Sequence, residues 1–266
     1  MEILDFFQYG FIQRAVIAGS FVAVTCSVLG VFLVLRRFSM IGDGLSHVTF
    51  GSVALGLFLN IYPLYVSIPI VMLSSVGILK LTKRSLHGDA AIGIVSSIGI
   101  ASGIILASVA GGFNVDLFSY LFGNILSISK AETIISIVLS IVVLFVIILF
   151  YHDIVAVTFD EEYAGVLGVK TKRINMIIIL LTAITVVLAM KVVGILLVSS
   201  LIIFPPVSAF KIARSFRTVL VASIIIALLS IITGIFISFV ADIPTGATIV
   251  LTNFVFFLSI LIYKRL

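Results

Sequence analysis

The sequence predicts an all-α, polytopic helical membrane protein, with residues 1–266 forming a single transmembrane domain. Three observations carry that prediction. Hydrophobic residues make up 62% of the chain and charged residues 10%, with a mean hydropathy of +1.41; a soluble domain carries about 25% charged residues. The apolar residues fall in runs close to the ~20 residues that a helix needs to cross a hydrocarbon core of ~30 Å. The lysines and arginines collect in the gaps between alternate runs. So much apolar surface has no place inside one soluble core. A net charge of +5 would suggest nucleic acid as a partner of a soluble protein, but here the positive-inside rule accounts for it, and no nucleic acid is expected.

About nine transmembrane helices are predicted, at 12–35, 38–60, 62–82, 90–111, 131–151, 174–190, 192–210, 218–240 and 246–263. The first run is too long for a signal core and is preceded by Glu2 and Asp5, so no cleavable signal peptide is expected. Cys26, the single cysteine, excludes an internal disulfide and reads as a small core residue. Gly99, Gly103, Ala107 and Gly111 form a stripe of small residues, and Gly51 and Gly56 thin the second span. Both features fit close packing within one subunit. Leu117 to Leu126 is apolar but too short to span and reads as an interfacial or re-entrant helix. Pro205-Pro206 should break the seventh span near its inner end, and Pro244-Thr245-Gly246 reads as a turn into the last span. If the loop after the first span is cytoplasmic, the loops on that side hold 13 of the 16 lysines and arginines. The N-terminus is then expected outside and the C-terminus in the cytoplasm.

Acids and histidines are few, and Asp43 and His47 are the ones placed well inside a span. At i, i+4 they share one helix face. Counting helical rise from Arg37 puts them roughly 9–15 Å into the bilayer. Intramembrane ionisable groups cost about 2.5–3.5 kcal/mol on insertion scales, so they mark functional sites by default. Carboxylate with imidazole suits zinc, manganese or ferrous iron, and the lack of thiolates disfavours copper(I). Two ligands are too few for a divalent ion, but a two-fold dimer with these helices across the axis would supply four. An Asp–His pair that only braces helices is the plainer alternative. On the outer side, Asp116 and Asp242 would form an acidic mouth that concentrates cations, or are simply solvated loop acids.

The loop Phe159-Asp160-Glu161-Glu162-Tyr163-Ala164-Gly165-Val166-Leu167-Gly168 predicts a two-turn cytoplasmic helix over about 160–167. Asp160 suits the N-cap, Glu161 and Glu162 the positive first turn, and Gly168 the stop. Ala164 and Gly165 would permit close approach of a partner, although an ordinary connector would look the same. The dipeptide Gly-Lys is absent, which excludes a phosphate-binding P-loop. Nothing argues for an enzyme.

Three segments together resemble a known family: Leu35-Arg36-Arg37 through Gly42-Asp43-Gly44-Leu45-Ser46-His47, Phe159 through Gly168, and Val193-Gly194-Ile195-Leu196-Leu197-Val198-Ser199-Ser200 through Pro205-Pro206. The chain resembles the membrane subunit of the bacterial ATP-binding-cassette importers for zinc and manganese. That resemblance implies a homodimer of permeases in the lipid of the cytoplasmic membrane, with no cofactor in this chain. Each copy would dock through Asp160, Glu161, Glu162, Tyr163, Ala164, Gly165 and Gly168 on a cytoplasmic ATPase subunit that carries the ATP. Metal would arrive from an extracytoplasmic metal-binding protein. The family's Asp and His map onto Asp43 and His47, while Pro206 departs from the more frequent alanine. The family divides among zinc, manganese and iron, and zinc is favoured here. The alternatives are a secondary cation exchanger using Asp43 as a proton-coupled site, needing no ATPase, and a membrane scaffold that transports nothing.

Overall fold

In a computed structural model the chain is described over residues 9–84, 88–110, 112, 115–123, 128–195 and 198–264. The N-terminal acids Glu2 and Asp5, and Gly111 of the small-residue stripe, lie outside these residues. Among the described residues there are twelve helices and no strand. They are α1 (Gly10–Leu35), α2 (Ile41–Phe58), α3 (Pro63–Arg84), α4 (Gly88–Val109), α5 (Val115–Phe122), α6 (Lys130–Leu149), α7 (Tyr151–Phe159), α8 (Glu161–Val166), α9 (Thr171–Val192), α10 (Val198–Ile212), α11 (Phe216–Ala241) and α12 (Thr245–Tyr263). Seven of them, α1, α3, α4, α6, α9, α11 and α12, are long and apolar enough to cross a membrane. Of the nine expected spans, those over α2 and α10 have helices of 18 and 15 residues outside that group.

Helices α1 and α9 form the centre. Their spans are 67% and 72% buried, against 28% for α4 and α6. On one side of this centre α2 packs against α3 and α4, and on the other α10, α11 and α12 pack together. The glycine stripe explains the first group. A Cβ on Gly99 would lie 2.7 Å from the backbone of Val48, and one on Gly103 2.6 Å from the Phe50 ring. The α2–α4 contact therefore needs bare backbone, and the stripe is used inside one subunit as expected.

Two expectations about the seventh span are corrected. Its helix does not run on from near 192: Gly194 takes a φ of 94° that interrupts the helix after Val192, and α10 is described from Val198, with residues 196–197 outside those described. There the backbones of Phe122-Gly123, Val193-Gly194 and Gly246 cross. A Cβ on Gly246 would stand 2.0 Å from the Val193 carbonyl oxygen, and one on Gly194 2.4 Å from the Gly123 nitrogen. The expected break at Pro205-Pro206 does not occur, since α10 is helical through both prolines. Pro206 deprives the Ile202 carbonyl of its i+4 donor, but that oxygen is covered by α1, where a Cβ on Gly30 would sit 2.1 Å from it. Protein re-covers the freed backbone, so the helix continues. The short element predicted over Leu117 to Leu126 is α5, stopped by Gly123 at φ 72°; residues 124–127 lie outside those described.

Two basic residues that the loop tally assigns to the outer side have partners at the end of the bundle away from α8. Arg14 Nε donates to the Ile128 carbonyl at 3.2 Å. Lys191 Nζ lies 3.2 Å from Glu132 Oε1 and 4.4 Å from the centre of the Tyr120 ring. The Tyr62 hydroxyl also donates to Glu132.

Candidate functional site

Asp43 and His47 lie in the first and second turns of α2. The chain reaches them through a turn over 36–40, in which Arg37 adopts φ 54° and the Phe38 N–H donates to the Leu33 carbonyl at 2.9 Å. Along α2 the two residues stand ~3 and ~9 Å from its start. The Asp43 carboxylate sits at the positive end of the helix dipole.

The pair is close but open. His47 Nε2 lies 3.5 Å from Asp43 Oδ2, and the side chains are 23% and 40% exposed respectively. Other polar side chains on this helix turn inward on the chain itself. Ser46 Oγ donates to the Gly42 carbonyl, Thr49 Oγ1 to that of Leu45, and Ser52 Oγ to that of Thr49, each at 2.8 Å. Gly42 and Gly44 are closed off by Ile202 and Ile92, whose side-chain atoms would stand 2.9 and 2.4 Å from added Cβ atoms. An acid and an imidazole with unspent lone pairs thus face outward from a helix that is otherwise packed or self-bonded. Among the described residues no third His, Cys, Asp or Glu joins them in a metal-capable group.

At the other predicted site, α8 forms with the expected boundaries to within a residue. Asp160 caps it, its Oδ1 accepting from the Tyr163 N–H at 2.9 Å. Gly168 comes next at φ 87°. Glu161 and Glu162 occupy the first turn. Tyr163, Gly165, Val166 and Leu167 are exposed, whereas Ala164 is fully buried. Ala164 therefore seats α8 on its own subunit, and the outward face is acidic at its start, where Glu161 and Glu162 are also exposed, and apolar and aromatic beyond.

Sequence reading did not anticipate the internal anchor of this helix. Arg36 Nη2 donates to Asn175 Oδ1 at 2.5 Å and lies 3.5 Å from Glu161 Oε2, and Asn175 Nδ2 donates to Glu161 Oε1 at 2.7 Å. Burial lowers the Arg36 pKa from its ordinary value, and Glu161 opposes that shift. Arg36 reads in the sequence as a boundary marker, and Asn175 carries no signal beyond being a polar residue at the start of an apolar run.

Asp116 is the second residue of α5. Asp242 is exposed and caps α11 in the left-handed region at φ 52°. Both lie toward the end of the bundle away from α8, where α5 meets Gly246 at the start of α12.

Comparison with known proteins agrees over nearly the full length. The chain is 32% identical to the high-affinity zinc uptake system membrane protein ZnuB of Haemophilus influenzae, over 95% of this chain and 97% of that protein. It is 34% identical to the manganese import system permease protein ScaB of Streptococcus gordonii, over 94% and 90%. Its fold matches a chain of the solved PsaBC structure from Streptococcus pneumoniae in complex with Fab, with a TM-score of 0.88 and 30% identity over 97% of this chain and 95% of that one. The model of the ABC 3 transport family matches residues 8–264, and the chain, a multi-pass helical membrane protein, belongs to that family.

Proposed function

We propose that this chain is the membrane-spanning permease subunit of an ATP-binding-cassette importer for a divalent transition metal, zinc before manganese or iron. Two copies form the pathway, with Asp43 and His47 of each facing the other across a two-fold axis. The metal is the cargo. The observation that carries this reading is the open Asp43–His47 pair on a helix whose other polar groups are satisfied internally. An outward-facing acid in a membrane helix is costly against lipid, and a second copy supplies the missing ligands without any further residue type. Imidazole nitrogen with carboxylate oxygen suits zinc well. The zinc and manganese names of two relatives at nearly equal identity fit the same donor set.

In this reading the nine helices α1–α4, α6 and α9–α12 cross the membrane, with the N-terminus outside and the C-terminus in the cytoplasm. The exposed Tyr163, Val166 and Leu167 of α8 dock on the ATPase subunit, which binds the ATP. An extracytoplasmic binding protein delivers metal past Asp116 and Asp242. Family membership speaks against a secondary exchanger. The test is uptake of radioactive zinc and manganese by cells expressing the whole importer. Asp43→Ala and His47→Ala should each abolish it, with the protein inserted and dimeric at normal levels. Uptake near the parent rate in both variants would remove the pair from the pathway.

A further inference from the structure

The Arg36–Asn175–Glu161 cluster joins three elements: the end of α1, the second turn of α9 and the first residue of α8. It is closed on itself. The carboxylate accepts from the amide, and the amide oxygen and the second carboxylate oxygen both face one guanidinium nitrogen. Asn175 is only 4% exposed and the Arg36 side chain 19%, while the Glu161 side chain is 47% exposed on the α8 side. Neither residue is needed to cap α8, which Asp160 does, or to stop it, which Gly168 does.

The turn over 36–40 makes the cluster more than a brace. This turn is stiff: Arg37 holds a left-handed conformation that a non-glycine residue adopts rarely, and Phe38 is tied back to Leu33. It leads straight into α2, whose first turn carries Asp43. Beside the cluster is a cavity of about 230 Å³ lined by Arg36, Glu161 and Asn175 with Leu33, Phe38 and Leu79. Tight packing would otherwise resist a shift of the turn, and the cavity gives it room.

We propose, on the basis of the metal-importer reading above, that Arg36 is a positioning residue that carries displacement of α8 through Glu161 into the 36–40 turn and so to Asp43. Asn175 holds the guanidinium and the carboxylate in register. Ion-paired to Glu161 of α8 and hydrogen-bonded to Asn175 of α9, Arg36 ties the turn to both, so a shift of α8 reaches the turn through it. The free energy of ATP hydrolysis thereby reaches the metal pair by a path that stays within one subunit.

The test uses the full importer, with its ATPase and binding protein, in proteoliposomes, and reads zinc transported per ATP hydrolysed. Arg36→Met and Asn175→Leu should each lower that ratio by about fivefold or more, in the range of ordinary coupling energies, with the ATPase still bound and hydrolysing. An unchanged ratio in both variants overturns the relay. A second measurement needs no change in the cluster. With Cys26→Ala as background, spin labels at the exposed positions Met40 and Phe159, the residue before the α8 cap, should keep one distance in nucleotide-free and ATP-bound complexes. A distance that changes between those states shows that the turn and α8 move independently, and overturns the proposal. Asp43→Ala in the same vesicles separates the two claims. Loss of transport in Asp43→Ala with a normal ratio in Arg36→Met refutes the relay alone, whereas normal transport in Asp43→Ala refutes the metal-pair reading.

Discussion

The chain carries two clusters of charge beside the same turn, and they differ in what joins them. Both hold an ion pair of 3.5 Å with a partly exposed acid, 47% for Glu161 and 40% for Asp43. In the Arg36–Asn175–Glu161 cluster a buried amide closes the set with hydrogen bonds of 2.5 and 2.7 Å, whereas among the described residues no third His, Cys, Asp or Glu joins Asp43 and His47. A half-buried charge left unsatisfied costs free energy and gives nothing back unless something else binds it. On the function proposed above, the difference separates a joint, which must keep its geometry, from a receptor, which must keep its lone pairs free.

The comparison breaks most visibly at the receptor. Replacing Asp43 or His47 by alanine should reduce metal uptake by at least about 100-fold, beyond the 10–100-fold typical of residues that only support ligands. It should leave the melting temperature of the purified permease nearly unchanged, because neither side chain fills the core. A large fall in stability with residual uptake would instead make the pair a brace.

The next effect is expected at α8. Gly165→Trp should detach the ATPase or uncouple it, seen as loss of co-purification or at least about a tenfold fall in uptake, the scale of a lost interface contact. Gly165→Ala should be nearly silent, because the nearest atom to its Cβ is Thr171 Cγ2 at an ordinary 3.8 Å. Normal transport by Gly165→Trp with the ATPase bound would remove α8 as the docking element.

A smaller effect sharpens the packing around the receptor helix. Gly99→Leu should destabilise the protein by about 1–3 kcal/mol, as overpacked cores do, measured as a lower midpoint of thermal unfolding in detergent. Gly93→Ala, one helix face away and with nothing within 4 Å of its Cβ, should be neutral or slightly stabilising. Equal effects at the two positions would contradict the account of the α2–α4 contact.

The smallest effect belongs to the outer acids. Neutralising Asp116 and Asp242 together should slow uptake by about twofold at low ionic strength and not at all near physiological salt, where screening acts over ~8 Å. An unchanged rate at low salt would leave them as ordinary loop acids.

Much of this was legible in the sequence, because length and hydropathy act locally. The helices over α1, α6, α9 and α11 are set by their runs alone, and the caps of α8 by Asp160 and Gly168. The Asp43–His47 spacing was equally plain. The residues that were misread depend on contacts between distant segments. The stretch from Val192 to Leu197 looks like continuous helix, but Gly194 is bent by a crossing with Gly123 and Gly246. Pro205-Pro206 looks like a break, but α1 presents Gly30 to the freed carbonyl. The turn at 36–40 between Arg37 and α2 was not legible either, because the tie from the Phe38 N–H back to the Leu33 carbonyl leaves no local pattern. Arg36 and Asn175 are 139 positions apart in the chain, so nothing in either's local pattern announces the other.

The central claim is that His47 and Asp43 of two copies hold the transported metal. X-ray absorption on the zinc-loaded importer tests it most directly. The account predicts imidazole scattering with zinc–nitrogen and zinc–oxygen distances of about 2.0–2.2 Å, lost in His47→Ala and accompanied by weaker zinc binding in Asp43→Ala. Bound zinc that keeps its imidazole signature in His47→Ala would contradict it.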